Sequence, residues 1–148
     1  YSKGTYAVSG ATLKLTPDAG KGRPMSYTLH FGTHQDKTGK TLIEIAQRVT
    51  ALIITLGADG SLIYADGKQI AIPTPKPKAI VDPTGCGDAY RAGLLHGIQK
   101  GWDWETTGRL ASLMGSLKIA SRGGQNHKHT RMELADMYKH HFGSRITL

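Results

Sequence analysis

The apolar residues of this chain change period several times, and each change marks an element. Between Lys40 and Thr50, Leu42, Ile45, Ala46 and Val49 recur at helical spacing and predict a short amphipathic helix. The unbroken run Ala51-Leu-Ile-Ile-Thr-Leu56 follows and predicts a buried strand. After the turn Gly57-Ala-Asp-Gly60, residues 61–65 and 69–72 are short β-prone segments joined through Asp66-Gly67, a strong hairpin signal, so three strands should lie close together. Pro73, Pro75 and Pro77 forbid a central strand and hold the chain extended until Ala79-Ile-Val81 resumes β character. Helical period then returns. Tyr90, Leu94, Leu95 and Ile98 share one face of a helix predicted from Gly87 to about Lys100, with Gly101 as its stop. A second helix, starting near Asp103, carries Leu110, Leu113, Met114 and Leu117 as a packing stripe and should break at Gly123-Gly124. Thr130-Arg-Met-Glu133 has capping-box spacing and opens a last helix reaching about Phe142. Upstream, residues 1–39 are rich in Gly, Thr, Ser and Lys and keep no sustained period, so they stay unassigned.

Composition narrows the class. A chain of 148 residues with 39% hydrophobic and 20% charged residues fits one globular domain able to bury a core. Its longest apolar runs are too short to cross a bilayer, and the opening YSKGTYAVSG lacks the apolar stretch of a secretory signal. The single cysteine, Cys86, excludes an internal disulfide and suits a reducing compartment, so a cytoplasmic location and no membrane partner are expected. The formal net charge of +8 favours anionic partners. The basic residues are dispersed with little aromatic interleaving, which reads as a solvated surface rather than a nucleic-acid platform.

One stretch carries candidate chemistry, Asp82-Pro-Thr-Gly-Cys-Gly-Asp88-Ala-Tyr-Arg-Ala-Gly93. A helix start exposes backbone N–H groups without internal partners, and its dipole adds partial positive charge. Gly85 and Gly87 have no Cβ, so the backbone can approach a phosphate and aim N–H groups at its oxygens. Such a hole stabilises charge on a transferring phosphoryl group, while a nearby carboxylate accepts the proton of the attacking hydroxyl; Asp88 is placed for that. An aspartate near a helix start also serves as an ordinary cap, and spacing alone does not separate the two roles.

This string closely resembles the signature of the ribokinase/PfkB family of carbohydrate and nucleoside kinases. The resemblance implies an anion hole at Gly85, Cys86 and Gly87 and a catalytic base at Asp88. Ala or Gly is usual at the position of Cys86, whose thiol the helix start would make more acidic. Ile54-Thr-Leu-Gly-Ala-Asp-Gly60 resembles the family's T-x-G-x-x-G contact with ATP, implying nucleotide contacts at Thr55, Gly57 and Gly60. Ala120-Ser-Arg-Gly-Gly-Gln125 looks like the loop beside the adenine pocket that helps hold a monovalent cation. The resemblance thus implies a K⁺ site at Asp82, Thr84 and Gly124, with ATP and Mg²⁺ as the other cofactors. Tyr90-Arg-Ala-Gly93 looks most like bacterial adenosine kinases, which makes the 5′-hydroxyl of adenosine the first acceptor to consider and another sugar such as ribose the alternative.

The implied fold is α/β: the C-terminal part of a ribokinase-like three-layer α/β/α arrangement over residues 40–148, with residues 1–39 not matching the family. Relatives are about twice this length, so a missing N-terminal half or a homodimer is a candidate partner alongside the nucleoside or sugar and ATP. The family's Asn-x-x-Glu motif should lie upstream of Lys40, yet the one asparagine is Asn126. The rival from another class is therefore an incomplete, non-catalytic nucleotide-binding module. Gly39-Lys-Thr41 does not make a P-loop, since the required earlier glycine falls at His34, and His127, His129, His140 and His141 lack a zinc spacing.

Overall fold

The computed structural model describes residues 4–9, 12–17, 25–28, 49–126 and 128–148. The chain divides into two compact units, Tyr1–Ile54 with Tyr64–Lys68, and Thr55–Ile63 with Gln69–Leu148. Within the first unit, β1 (Gly4–Ser9), β2 (Thr12–Pro17) and β3 (Met25–Thr28) pair antiparallel in the order β1-β2-β3. The sequence left this segment unassigned. The register explains why strands form: Tyr6 lies opposite Leu15, Val8 opposite Leu13, and Leu13 opposite Tyr27, so apolar positions match across all three strands. Each strand is only four to six residues long, too brief for its alternation to stand out among the glycines and threonines. The helix predicted between Lys40 and Thr50 lies outside the described residues, apart from its final two positions.

A second sheet has the order β4-β5-β6, with β4 (Ala51–Thr55), β5 (Ser61–Ala65) and β6 (Lys68–Ile72). The three neighbouring strands are as the sequence predicts. Asp66 (φ 52°) and Gly67 (φ 71°) both take left-handed backbone in the β5–β6 connection, as a two-residue hairpin of the tightest kind requires. β5 buries Ser61, Ile63 and Ala65 on one face. β4 departs from its expected full burial: of its residues only Leu52 is buried.

The helices of the second unit follow the predicted punctuation closely. α1 (Cys86–Lys100) ends at Gly101, which adopts φ 69° and bonds its N–H back to the last turn. α2 (Trp104–Ile119) starts at Asp103, whose carboxylate accepts the Thr106 N–H at 2.8 Å. α3 (Arg131–Phe142) opens with a complete capping box: the Thr130 hydroxyl accepts the Glu133 N–H, and the Glu133 carboxylate accepts the Thr130 N–H at 2.7 Å.

Small residues, more than large ones, bring α1 onto α2. A Cβ placed on Gly93 would stand 2.6 Å from the Ala111 Cα, and one on Gly97 would meet the Thr107 side chain at 2.5 Å. The buried face of α1 is accordingly Ala89, Tyr90, Gly93, Leu94 and Gly97, while Leu95, expected on that face, is 40% exposed. On α2, Gly108 admits Ile63 and Ile72 of the sheet in the same way, and Leu110 and Leu113 pack with Tyr138 of α3. Met114 and Leu117 are partly buried against that cluster, together with Trp102. Hydroxyls on α2 fasten the proline segment: Ser112 donates to Pro73 O (2.9 Å) and Ser116 to Pro75 O (2.7 Å). Residues 79–81 form no strand. Val81 and Asp82 instead donate their N–H groups to Ile119 O at the end of α2, leaving Ile80 80% exposed.

Candidate active site

The turn before α1 is built around Gly85, which caps the helix with φ 81° and ψ 2°. A Cβ there would lie 3.1 Å from Gly124 O, so both its left-handed backbone and its close neighbour call for glycine. Gly124, from the loop after α2, therefore sits directly against the turn. Of the amides proposed for an anion hole, that of Cys86 is engaged: it donates to Pro83 O at 3.1 Å, closing the turn. Within α1 the first N–H with a helical acceptor is that of Ala89, which bonds Gly85 O at 2.9 Å. Gly87 and Asp88 thus supply first-turn N–H groups with no acceptor in their own helix, and both residues are exposed. The Asp88 amide is a donor that the sequence reading did not include, and the Cys86 amide is one it included that the turn itself consumes.

Asp88 occupies the third position of α1, as Glu133 does in α3, yet the two carboxylates behave differently. Glu133 reaches back to cap its helix. Asp88 points outward, with 80% of its side chain exposed, and accepts an i,i+3 hydrogen bond from Arg91 Nη1 at 2.6 Å. An exposed pair of this kind contributes only about 0.2–0.5 kcal/mol, so it holds Asp88 weakly.

Asp82 is the hub behind the turn. Its carboxylate accepts the Gly123 N–H at 2.7 Å and the Thr84 N–H at 2.9 Å. Those backbone donors, Gly123 first, hold its pKa down to about 2. The residues expected to hold a monovalent cation, Asp82, Thr84 and Gly124, are thus brought together, and each Asp82 carboxylate oxygen already accepts one backbone amide. Its carbonyl accepts from Lys118 Nζ at 3.3 Å. Lys118 was invisible to the pattern reading because a lysine in a helix's last turn ordinarily lies in solvent. The Cys86 thiol corrects another expectation. Burial pushes its pKa up, with Asp82 adding to that and Lys118 opposing it, so the helix start does not make it acidic.

The glycine turn after β4 is held by Leu56 N–H to Gly60 O (2.8 Å) and by Thr74 Oγ1 donating to Gly57 O (3.1 Å). Gly60 has φ 96°, and a Cβ on it would fall 2.1 Å from Ile72 O. Thr55 and Gly57 are exposed. The residue after Gly60 ties this turn to α1, since Ser61 Oγ and the buried Tyr90 hydroxyl lie 2.7 Å apart. The Ser61–Tyr90 bond thus links the strand after this turn to α1, a link the sequence did not reveal.

Residues 27–131 match the family model described as pfkB family carbohydrate kinase. The chain belongs to the pfkB family. Among its relatives, a nucleoside kinase of Methanocaldococcus jannaschii is 39% identical over 95 residues, covering 64% of this chain and 32% of that protein. The ribokinase of Bacillus subtilis is 35% identical over 86 residues, 58% of this chain and 29% of that one. The solved structure of Burkholderia thailandensis nucleoside kinase in complex with inosine aligns with a TM-score of 0.69 at 51% identity, covering 70% of this chain and 34% of that chain. The same enzyme is also known in complex with ADP-inosine. This pfkB chain has the α/β fold of those kinases over the aligned part, and it spans about a third of the length of the relatives it matches.

Proposed function

We propose that this pfkB chain carries the phosphate-binding turn and catalytic base of an ATP-dependent nucleoside kinase, which transfers the γ-phosphoryl group to the 5′-hydroxyl of a purine nucleoside, adenosine first. The observation that carries the reading is the outward, uncapping carboxylate of Asp88 beside the first-turn amides of Gly87 and Asp88. A carboxylate spent on capping, like that of Glu133, has no lone pair aimed at a substrate; Asp88 keeps its own at the open end of the helix dipole.

In the reaction so proposed, the Gly85 cap lets the nucleotide's terminal phosphate approach, and the N–H groups of Gly87 and Asp88 meet the charge that spreads over the phosphoryl oxygens. Asp88 takes the proton from the nucleoside hydroxyl as its oxygen attacks phosphorus, and ADP leaves. Mg²⁺ would enter on the nucleotide and lower the charge barrier between its phosphates. Thr55 and Gly57, exposed on the turn after β4, are the proposed nucleotide contacts. Gly60 serves by letting that turn close.

Support for a nucleoside over a free sugar comes from the 51% identity to an enzyme seen with inosine, against 35% for a ribokinase. The test incubates the chain with ATP, Mg²⁺ and adenosine, inosine or ribose in parallel and follows product by ³¹P NMR. A nucleoside 5′-monophosphate is expected. Asp88→Asn should lower transfer by about 10²- to 10⁴-fold with ADP affinity nearly unchanged. Ribose phosphate as the main product moves the acceptor assignment. ADP binding with no product from any acceptor favours the non-catalytic module.

A further inference from the structure

Lys118 is fully buried at the end of α2. Its ammonium donates to Asp82 O at 3.3 Å and to Ser121 O at 2.9 Å. One carbonyl belongs to the phosphate turn and the other to the loop that packs Gly124 against Gly85. A buried charge persists only where dipoles or counter-charges replace its water, and here two carbonyls and the nearby Asp82 carboxylate do so. The same two segments are tied by Gly123 N–H to Asp82 Oδ2 and by the Val81 and Asp82 amides to Ile119 O. Every one of these bonds fixes the backbone that sets the Gly85 cap.

We propose that Lys118 is the resident cation of the phosphate turn, gathering with its ammonium the carbonyls that an added monovalent ion would otherwise gather. At the residues expected to hold K⁺, Lys118 already brings a positive charge to the Asp82 carbonyl, and each Asp82 carboxylate oxygen already accepts a backbone amide, so the need an added ion would meet is largely met by the chain itself. Lys118 is a positioning residue: it acts on the nucleotide through the turn, never by contact. The proposal rests on the nucleotide-binding reading for its consequence, which is that nucleotide affinity should not depend on K⁺.

The test compares the full wild-type chain with Lys118→Met in potassium, ammonium, sodium and choline chloride at one ionic strength, measuring ADP affinity and thermal midpoint. Wild-type affinity and midpoint should be the same in all four salts. In choline the variant should hold its turn in the competent arrangement about a tenth of the time and so bind about tenfold more weakly. Potassium or ammonium should restore most of that affinity and raise the variant's midpoint, because either ion can enter the space the ammonium leaves. A wild-type affinity or midpoint that rises with potassium overturns the proposal, as does a variant that equals wild type in choline. A variant left unfolded in every salt overturns it too, since no ion then replaces the ammonium. If wild type binds no ADP in any salt, the kinase reading falls, and the midpoints alone then decide the role of Lys118.

Discussion

Two helical glycines separate close packing from helix propensity. Gly93 and Gly115 both lie inside helices, so replacing either with alanine removes the same backbone-entropy penalty, about 1 kcal/mol in favour of the variant. Their surroundings differ. At Gly115 a Cβ would meet Cys86 O at 3.6 Å and the Tyr90 Cβ at 3.8 Å, which is ordinary contact. At Gly93 it would stand 2.6 Å from the Ala111 Cα and 2.9 Å from the Ala111 N, and a backbone cannot rotate away as a side chain can. Moving α1 off α2 to admit the methyl carries an overpacking cost of about 1–3 kcal/mol. Gly115→Ala should therefore stabilise the chain by up to about 1 kcal/mol. Gly93→Ala should fall below it by about the full overpacking cost, ending between neutral and roughly 2 kcal/mol destabilised. Urea unfolding followed by far-ultraviolet circular dichroism gives both values from the shift in midpoint at constant slope. Equal stability of the two variants, within about 0.5 kcal/mol, would refute the claim that the α1–α2 contact is set by backbone approach at Gly93. If the turn at the start of α1 binds phosphate as proposed, Gly93→Ala, by moving α1, should also weaken ADP binding more than Gly115→Ala does.

Three further outcomes follow from the turns. Asp82 has its pKa lowered to about 2 by backbone donors, from 3.8, so the stability it contributes is present above pH 3.8 and is lost as pH falls through about 2. Thermal midpoints measured down to pH 2 should drop over that window in wild type and drop less in Asp82→Asn; parallel curves would contradict the assignment. Cys86, its thiol pushed up by burial, should react with iodoacetamide at pH 8 more slowly than free cysteine does, and a faster rate would show an acidic thiol instead. Gly60→Ala places a Cβ 2.1 Å from Ile72 O at φ 96° and should destabilise by about 2 kcal/mol or more, read from urea midpoints; a neutral variant would mean the turn is not closed as described.

Much of the fold was legible because its signals are local. Gly101, Asp103 and the Thr130–Glu133 box act within one turn of chain, and the helix ends they mark fall where expected, whereas α2 stops at Ile119, short of the expected break at Gly123-Gly124. The Asp66-Gly67 hairpin is legible for the same reason. What escaped the sequence depends on residues far apart. Leu95 looks apolar enough for the buried face of α1, but Gly93 and Gly97 bring α2 so close that the contact rotates onto the small residues. The strand character of residues 79–81 yields to amide bonds with Ile119, nearly forty positions away. At the candidate site, the helix start at Gly85 and the first-turn position of Asp88 were readable, because both follow from the local glycine-and-acid pattern. The roles of Cys86, Lys118 and the Ser61–Tyr90 bond were not, since each is decided by a partner that no spacing rule connects to it.

The most direct test of the phosphate turn is an ADP titration of the ¹⁵N-labelled full chain, observed by amide-resolved NMR. A phosphate received at the start of α1 should move the Gly85, Gly87 and Asp88 amide protons downfield together, with smaller changes at Gly57 and Gly124. The Cys86 amide, already bonded to Pro83, should move least among the turn residues. Saturable ADP binding that leaves Gly87 and Asp88 unshifted while perturbing amides elsewhere would contradict the account at its centre.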